Sequence, residues 1–296
     1  MTVDADKSDK LNQLVERVNA SRDGISSIRH VTARILRIIS DPDSSAKELK
    51  EIIEIDPPLT AKVLRMANSA YYAPSRRVGE IGQAIIAIGF NTVKEIALSQ
   101  KVCEIFDGED SFSGYSGVLL WRHTVMVALL GKLICRRELG ERGDNSYAAG
   151  ILHDLGIIVE DQFQQDDFRL ILRRATIEER NLHSVERKVF GFTHAEAGRA
   201  IARDWNFPSA LSLALGYHHR PHKAQRKSAM RAAAVLCLAE SLAAASGTGY
   251  ADAPHRDQAL FDWCIAHLSI DPSGLPLLVE ETQREMARMK SQGLLT

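Results

Sequence analysis

The sequence predicts an all-α fold, a bundle of many helices, and three observations carry that expectation. No run alternates apolar and polar residues with β-branched enrichment, so no strand is expected. Apolar residues instead recur at steps of three and four, as in Leu11, Leu14, Val15 and Val18 and again in Val31, Ile35, Ile38 and Ile39. Two stretches, Ser45-Ala46-Lys47-Glu48 and Thr193-His194-Ala195-Glu196, have the form of a capping box. There is no internal repeat, which sets aside a solenoid.

Residues 1–10 are polar and are expected to be disordered. An N-terminal helical subdomain is expected over 11–106. Within it the Ser45 box opens a helix through Leu49, Ile52 and Ile53. Asp56 then caps a helix with Pro57 at its first position, running through Leu59, Val63, Leu64 and Ala67 until Pro74 stops the chain. In Asn68-Ser69-Ala70-Tyr71-Tyr72, Asn68 and Ser69 suit hydrogen bonds to a following turn, with Tyr71 packed on the core, while two adjacent tyrosines also suit a docking surface. Ile81 to Ile88 reads as a short buried helix closed by Gly89, and a further helix opens near Asn91 and carries Val93, Ile96 and Ala97.

The polar, glycine-rich stretch 107–117 is expected to link this half to a second one over 118–246. There Val118 to Leu139 forms one long helix that buries Trp121, Val125 and Leu133 and carries His123. Asp144 is expected to cap a helix from Asn145 through Asp154. Helices over 166–176 and 181–189 follow, then one from His194 to near Trp205 and one from Pro208 that ends in Tyr217-His218-His219. Ala232 to Ala245 carries Glu240. Two last helices, near 257–267 and 276–289, belong to a segment 247–296 expected to pack on the second half.

Bulk properties exclude several functions. A chain of 296 residues with 45% hydrophobic content can bury a sizeable core. Its 37 Lys and Arg against 38 Asp and Glu leave a net charge of −1, so neither nucleic acid nor a membrane is expected as partner. Cys103, Cys135, Cys237 and Cys264 form no CxxC pair and follow no secretory leader, which predicts reduced thiols in a cytoplasmic protein. The longest apolar runs, such as Ile81 to Phe90, fall short of the roughly 20 residues that span a bilayer.

The chemistry centres on Ala149-Gly150-Ile151-Leu152-His153-Asp154-Leu155-Gly156. Adjacent His and Asp side chains lie about 100° apart on a helical turn, and a carboxylate has two oxygens with which to bridge two ions. Two readings stand for the pair alone, a polar cap on a buried helix end or a pair of metal ligands. His123, His194, His218 and His219 stand at helix ends or on long helices, with Glu240 downstream. Imidazoles and carboxylates meeting in a bundle from several helices suit two divalent ions such as Mn, Fe, Mg or Zn. The basic run Arg220, Lys223, Arg226, Lys227 and Arg231 beside the histidines could attract a phosphate, or form a solvated face.

The order His123, His153-Asp154, His194, His218-His219 and an acid at 240 resembles the HD superfamily of metal-dependent phosphohydrolases, with Glu240 where that family usually has Asp. Asp56-Pro57-Pro58-Leu59-Thr60-Ala61-Lys62, Asn68 to Tyr72, Ala84 to Gly89, Phe190 to Gly198, Asp204-Trp205-Asn206-Phe207-Pro208 and Tyr217-His218-His219 resemble the HDOD domain, the HD-related output domain of bacterial signalling proteins. The resemblance covers residues 10–245 and implies an HD-like helical subdomain after the N-terminal one. It implies a metal site of His123, His153, Asp154, His194, His218, His219 and Glu240, with His153 and Asp154 at the catalytic position and Arg220 and Lys223 near a phosphate. It also implies output through contact with a signalling protein. The alternative is hydrolysis of a nucleotide or cyclic nucleotide. Ile157 departs from the pattern, because HD hydrolases commonly carry Lys there, and no Gly-Tyr-Pro follows His219, which disfavours cyclic-di-GMP as substrate.

Overall fold

Capping chemistry sets where many of the helices begin. The computed structural model describes residues 2–21, 24–106, 112–248, 257–291 and 295, and the helices are numbered in chain order. Ser45 accepts from the Glu48 N–H while Glu48 returns the bond, so α3 (Ala46–Glu54) starts where the sequence places it. Asp56 accepts from Leu59 N–H and Pro57 occupies the first turn of α4 (Pro57–Ala67). Asn68 then folds back, its side chain bonding both the N–H and the carbonyl of Val78 at 2.8 Å. The remaining N-terminal helices are α1 (Thr2–Ala20), α2 (Arg29–Ser40), α5 (Ile81–Ile88) and α6 (Phe90–Cys103).

The second half begins with α7 (Gly117–Glu138), followed by α8 (Asp144–Leu152), α9 (Leu155–Phe163), α10 (Gln165–Glu178) and α11 (Leu182–Val189). Then come α12 (His194–Asp204), α13 (Ser209–Tyr217), α14 (Lys227–Ala245), α15 (Gln258–Leu268) and α16 (Leu275–Ser291). Among the described residues no strand forms; a single bridge joins Phe112 and Tyr115. The class is all-α. Of the predicted linker, Asp107, Gly108, Glu109, Asp110 and Ser111 lie outside the described residues.

α7 packs on α8 and α14, α12 on α9 and α13, and α14 on α13 and α15. One continuous core runs through both halves, from Leu14 on α1 to Leu278 on α16, with α6 and α2 both seated on α8. α7 and α14 are long and apolar enough to cross a membrane by length and composition, but most of each apolar stretch is buried against its neighbours. α16 packs on α7 and also reaches the first half, where the Arg288 guanidinium lies over the Tyr71 ring.

Four expectations need correction. Helix α1 already starts at Thr2, so residues 2–10 of the expected disordered stretch are helical: Lys7 is tied to Glu196 of α12 at 2.7 Å, and Leu14 and Val18 bury beneath α12 and α9. Asp144 caps nothing. The Gly143 backbone, at φ 81°, turns the chain into α8, and the Asp144 carboxylate goes to Arg142 at 2.8 Å instead. The helix predicted to run through Asp154 ends at Leu152, and α9, absent from the sequence reading, begins directly after Asp154. Helix α5 is only half buried, since Ile86 is 87% exposed.

Candidate metal centre

Six helices bring the predicted residues together. His123 projects from the middle of α7, His153 and Asp154 form the break between α8 and α9, His194 is the first residue of α12, His218 and His219 follow α13, and Glu240 lies on α14. The α8–α9 break matters. Asp154, at φ −95° and ψ 19°, leaves the helical region, which lets α9 set off in a new direction and leaves the carboxylate at the corner.

Two glycines allow the helices to close on that corner. A Cβ on Gly150 would lie 2.4 Å from Cα of Ala128 on α7, and one on Gly156 would lie 1.9 Å from the carbonyl oxygen of His194. Backbone-to-backbone approach at these points draws His123 and His194 towards Asp154. Any larger residue would force the helices apart.

The geometry is a ring of imidazole nitrogens around one carboxylate. Nε2 of His153 and Nε2 of His123 stand 3.1 and 3.8 Å from Asp154 Oδ2, and Nε2 of His194 and of His218 stand 3.6 and 4.0 Å from Oδ1. Each carboxylate oxygen therefore faces two histidines. His123, His153 and Asp154 form one group of donor atoms within 4.8 Å of one another, and His194, His218 and His219 form a second.

The far side of each ring is held in place. Nδ1 of His153 donates to the Gly150 carbonyl at 2.8 Å, that of His218 to Leu215, and that of His123 lies 3.4 Å from the Thr248 carbonyl. Nδ1 of His194 contacts both oxygens of the buried Glu186 at 2.8 and 2.9 Å. With the proton fixed on Nδ1, Nε2 of His218 presents a lone pair, the state in which imidazole binds a metal. Burial opposes a second proton on His153, but Asp154 outweighs it and raises that ring above its ordinary value, so His153 must shed a proton before its Nε2 can ligate.

A divalent cation fits these residues. Nε2 of His218 is buried with no hydrogen-bond partner, and a cation is what would satisfy a lone pair that faces a carboxylate in a dry interior. Burial alone would raise the Asp154 carboxyl, but the His153, His194 and His123 imidazoles around it outweigh burial and hold it far below the usual carboxylate range. Burial pushes His123 down to about 4, and burial with His153 as neighbour keeps His218 neutral. His194 goes the other way: burial opposes its proton, but Glu186 raises it well above the ordinary value. Its Nε2 stands 2.7 Å from Nε2 of His219, so the proton there is shared with a neutral neighbour and must leave before either nitrogen can ligate.

The Oε1 of Glu240, on α14, is 3.5 Å from Nδ1 of His219. Arg220 and Lys223 are exposed, outside the ring of buried donors. Sequence reasoning missed three residues. Glu186 and Glu160 are both fully buried, and burial followed by the Glu186 charge pushes the Glu160 carboxyl well up, so it keeps its proton. His183 stacks on His219 with centroids 4.4 Å apart, and burial and His194 push it down to about 4. None of the three carries a local spacing signal.

Fold and site together define an all-helical protein in which histidines from separate helices surround a buried aspartate. Residues 25–221 match the model of the HDOD domain, and the chain belongs to the HDOD family. Among solved structures, an HDOD domain protein from Geobacter sulfurreducens is 23% identical, with a TM-score of 0.78 over 98% of this chain and 97% of that one. A protein named as a candidate phosphohydrolase from Shewanella amazonensis SB2B is 23% identical, with a TM-score of 0.67 over 95% of both chains. An uncharacterised protein of Treponema pallidum is 25% identical over 209 residues, which cover 68% of this chain and 39% of that longer relative. At these identities the solved structures establish the fold.

Proposed function

We propose that the chain is a bacterial signalling output protein, acting through protein contacts in the cytoplasm, whose second half holds two divalent ions. In this reading His123, His153 and Asp154 would hold one ion and His194, His218 and His219 the other, with the Asp154 carboxylate available to both groups. Glu240 orients His219 at Nδ1, as Glu186 orients His194. The observation that carries the reading is the buried, unpartnered Nε2 of His218 opposite the Asp154 carboxylate. A donor set of five imidazoles and one carboxylate suits Mn, Fe or Zn better than Mg.

Metal ions in such a set supply Lewis-acid stabilisation to a phosphoester. The completeness of the ligand set favours hydrolysis of a nucleotide phosphoester as a second reading. Ile157 speaks against strong turnover, because this fully buried side chain offers no cation to a phosphate where HD hydrolases commonly place Lys. Output through protein contact draws support from the first half, where Ile55 and Ile86 are 63% and 87% exposed. The two readings separate in cells. Ile86→Glu should abolish signalling output with metal content unchanged, whereas loss of output confined to substitutions of the ligand residues would make hydrolysis the function.

A further inference from the structure

Away from the histidines, α12, α13 and the start of α14 enclose a cleft of about 530 Å³. Arg199, Arg203 and Arg226 line it, and no carboxylate does. Several arginines elsewhere are paired with acids, among them Arg29 with Asp204, Arg137 with Glu281, Arg187 with Glu196 and Arg231 with Glu141. Among the described residues none of the three cleft arginines has such a partner, and Nε of Arg199 is buried without a hydrogen bond. In a chain of net charge −1, three unneutralised guanidiniums around one hollow form a local field that attracts an anion.

The backbone adds to that field. Ser209 at the start of α13 and Arg226 at the start of α14 both line the cleft, and neither helix has a capping side chain at that end, so the partial positive charge of two helix N-termini is left uncovered. The placement of Arg199 is built in. Its guanidinium lies 5.1 Å from the centroid of the Tyr217 ring, and its stem crosses Gly216, where a Cβ would come within 2.4 Å of the arginine Cδ. The remaining lining suits a flat, polar-edged ring: Tyr217 and Phe207 are aromatic, and Asn206 and Gln225 offer amide donors and acceptors. The volume falls in the range of small-ligand sites.

We propose that this cleft binds a nucleotide, its phosphates held by Arg199, Arg203 and Arg226 and its base set against the aromatic and amide side chains. The site is separate from the histidine centre: Arg199 lies five residues beyond His194, about 140° around α12. Because α12 carries His194 and α13 leads directly into His218 and His219, an occupant of the cleft touches the two helices that position half of the candidate ligands.

The test is calorimetric titration of the full chain, stripped of metal with EDTA so that phosphate cannot bind through an ion. ADP and GDP, pyrophosphate and adenosine are the probes. A nucleoside diphosphate should bind saturably at one per chain, pyrophosphate at least about tenfold more weakly, and adenosine not measurably. Arg203→Glu and Arg226→Glu, both at exposed positions, should each weaken binding about tenfold or more, the scale expected for loss of a charge-assisted hydrogen bond. Both variants should keep the wild-type melting temperature and metal content, and Arg180→Glu, outside the cleft, should bind as wild type. Absence of saturable binding by either nucleotide, pyrophosphate binding as tightly as the nucleotides, or binding unchanged in both cleft variants would each overturn the proposal. None of these outcomes depends on whether the histidine centre holds metal.

Discussion

Glu186 grips His194 at two points, with its carboxylate 2.8 Å from Nδ1 of the ring and 2.8 Å from the backbone N–H of the same residue. The second bond satisfies one of the free N–H groups at the start of α12, and the first fixes which nitrogen of the imidazole faces Asp154. A single buried acid thus sets the position and the tautomer of a candidate ligand.

Glu186→Gln keeps the shape and removes the charge. It should lower metal affinity by about 10–100-fold, the usual cost of losing such a partner, while the helical content stays the same. Titration of the stripped protein with Mn, followed by calorimetry, reads this out; unchanged affinity would show that Glu186 only stabilises the helix end.

Among the described glycines Gly156 leaves the least room for a side chain, and Gly156→Ala should be disproportionately damaging. The added methyl meets the His194 carbonyl at 1.9 Å, so α9 must move off α12. A loss of about 1–3 kcal/mol in unfolding free energy is expected, together with weaker metal binding because His194 and Asp154 move apart. Gly247→Ala, where a Cβ would meet no atom within 4 Å, isolates the backbone contribution of a glycine at positive φ, since that residue has φ 70°. Denaturant unfolding of the two variants separates steric from conformational cost.

In the first half, Asp56 caps α4 and pairs with Lys101 at 2.7 Å, and Lys101 also reaches Glu104 at 2.9 Å. Burial alone would raise the Asp56 carboxyl, but the Lys101 bond and the Leu59 N–H outweigh it and leave it below the ordinary value. A carboxylate lowered on folding stabilises above its unfolded pKa of about 3.9, and that stabilisation is lost as pH falls through the folded value. Asp56→Ala should therefore cost about 1–3 kcal/mol at neutral pH, and the gap from wild type should close below about pH 4. A gap that persists at low pH would assign the effect to packing.

Phosphoester hydrolysis should be weak. The lack of one positioned donor costs about 10²–10³ in rate, and Ile157 leaves that place apolar. Assay of mono- and dinucleotide phosphoesters with Mn or Fe supplied should show slow turnover that disappears in Asp154→Ala. Fast turnover, not improved by Ile157→Lys, would make the protein an enzyme first.

Much of this architecture was legible in the sequence because helix starts are written locally. Ser45, Asp56 and Thr193 each accept the N–H bond that their motifs predict, and Asp257 does the same for α15. Helix α9 was not legible: Leu155, Gly156, Ile157, Ile158 and Val159 are buried on every side, so no apolar stripe marks a period. The histidines were found through their order in the chain, whereas Glu186 and His183 lie in a stretch that reads as ordinary amphipathic helix and Glu160 lies on α9 itself. Only the packing of α9 and α11 against α12 turns them towards the site. Glu240 was expected among the ligands; its Oε1 stands 3.5 Å from Nδ1 of His219.

The central claim is that the histidine ring around Asp154 holds two ions. Elemental analysis of protein purified without chelator, from cells supplied with Mn and Fe, should give about two transition-metal ions per chain for wild type and close to none for Asp154→Ala, since that substitution removes the carboxylate shared by both groups. Wild-type protein without bound metal, or Asp154→Ala with the wild-type content, would contradict the account and leave the histidines as a buried polar core.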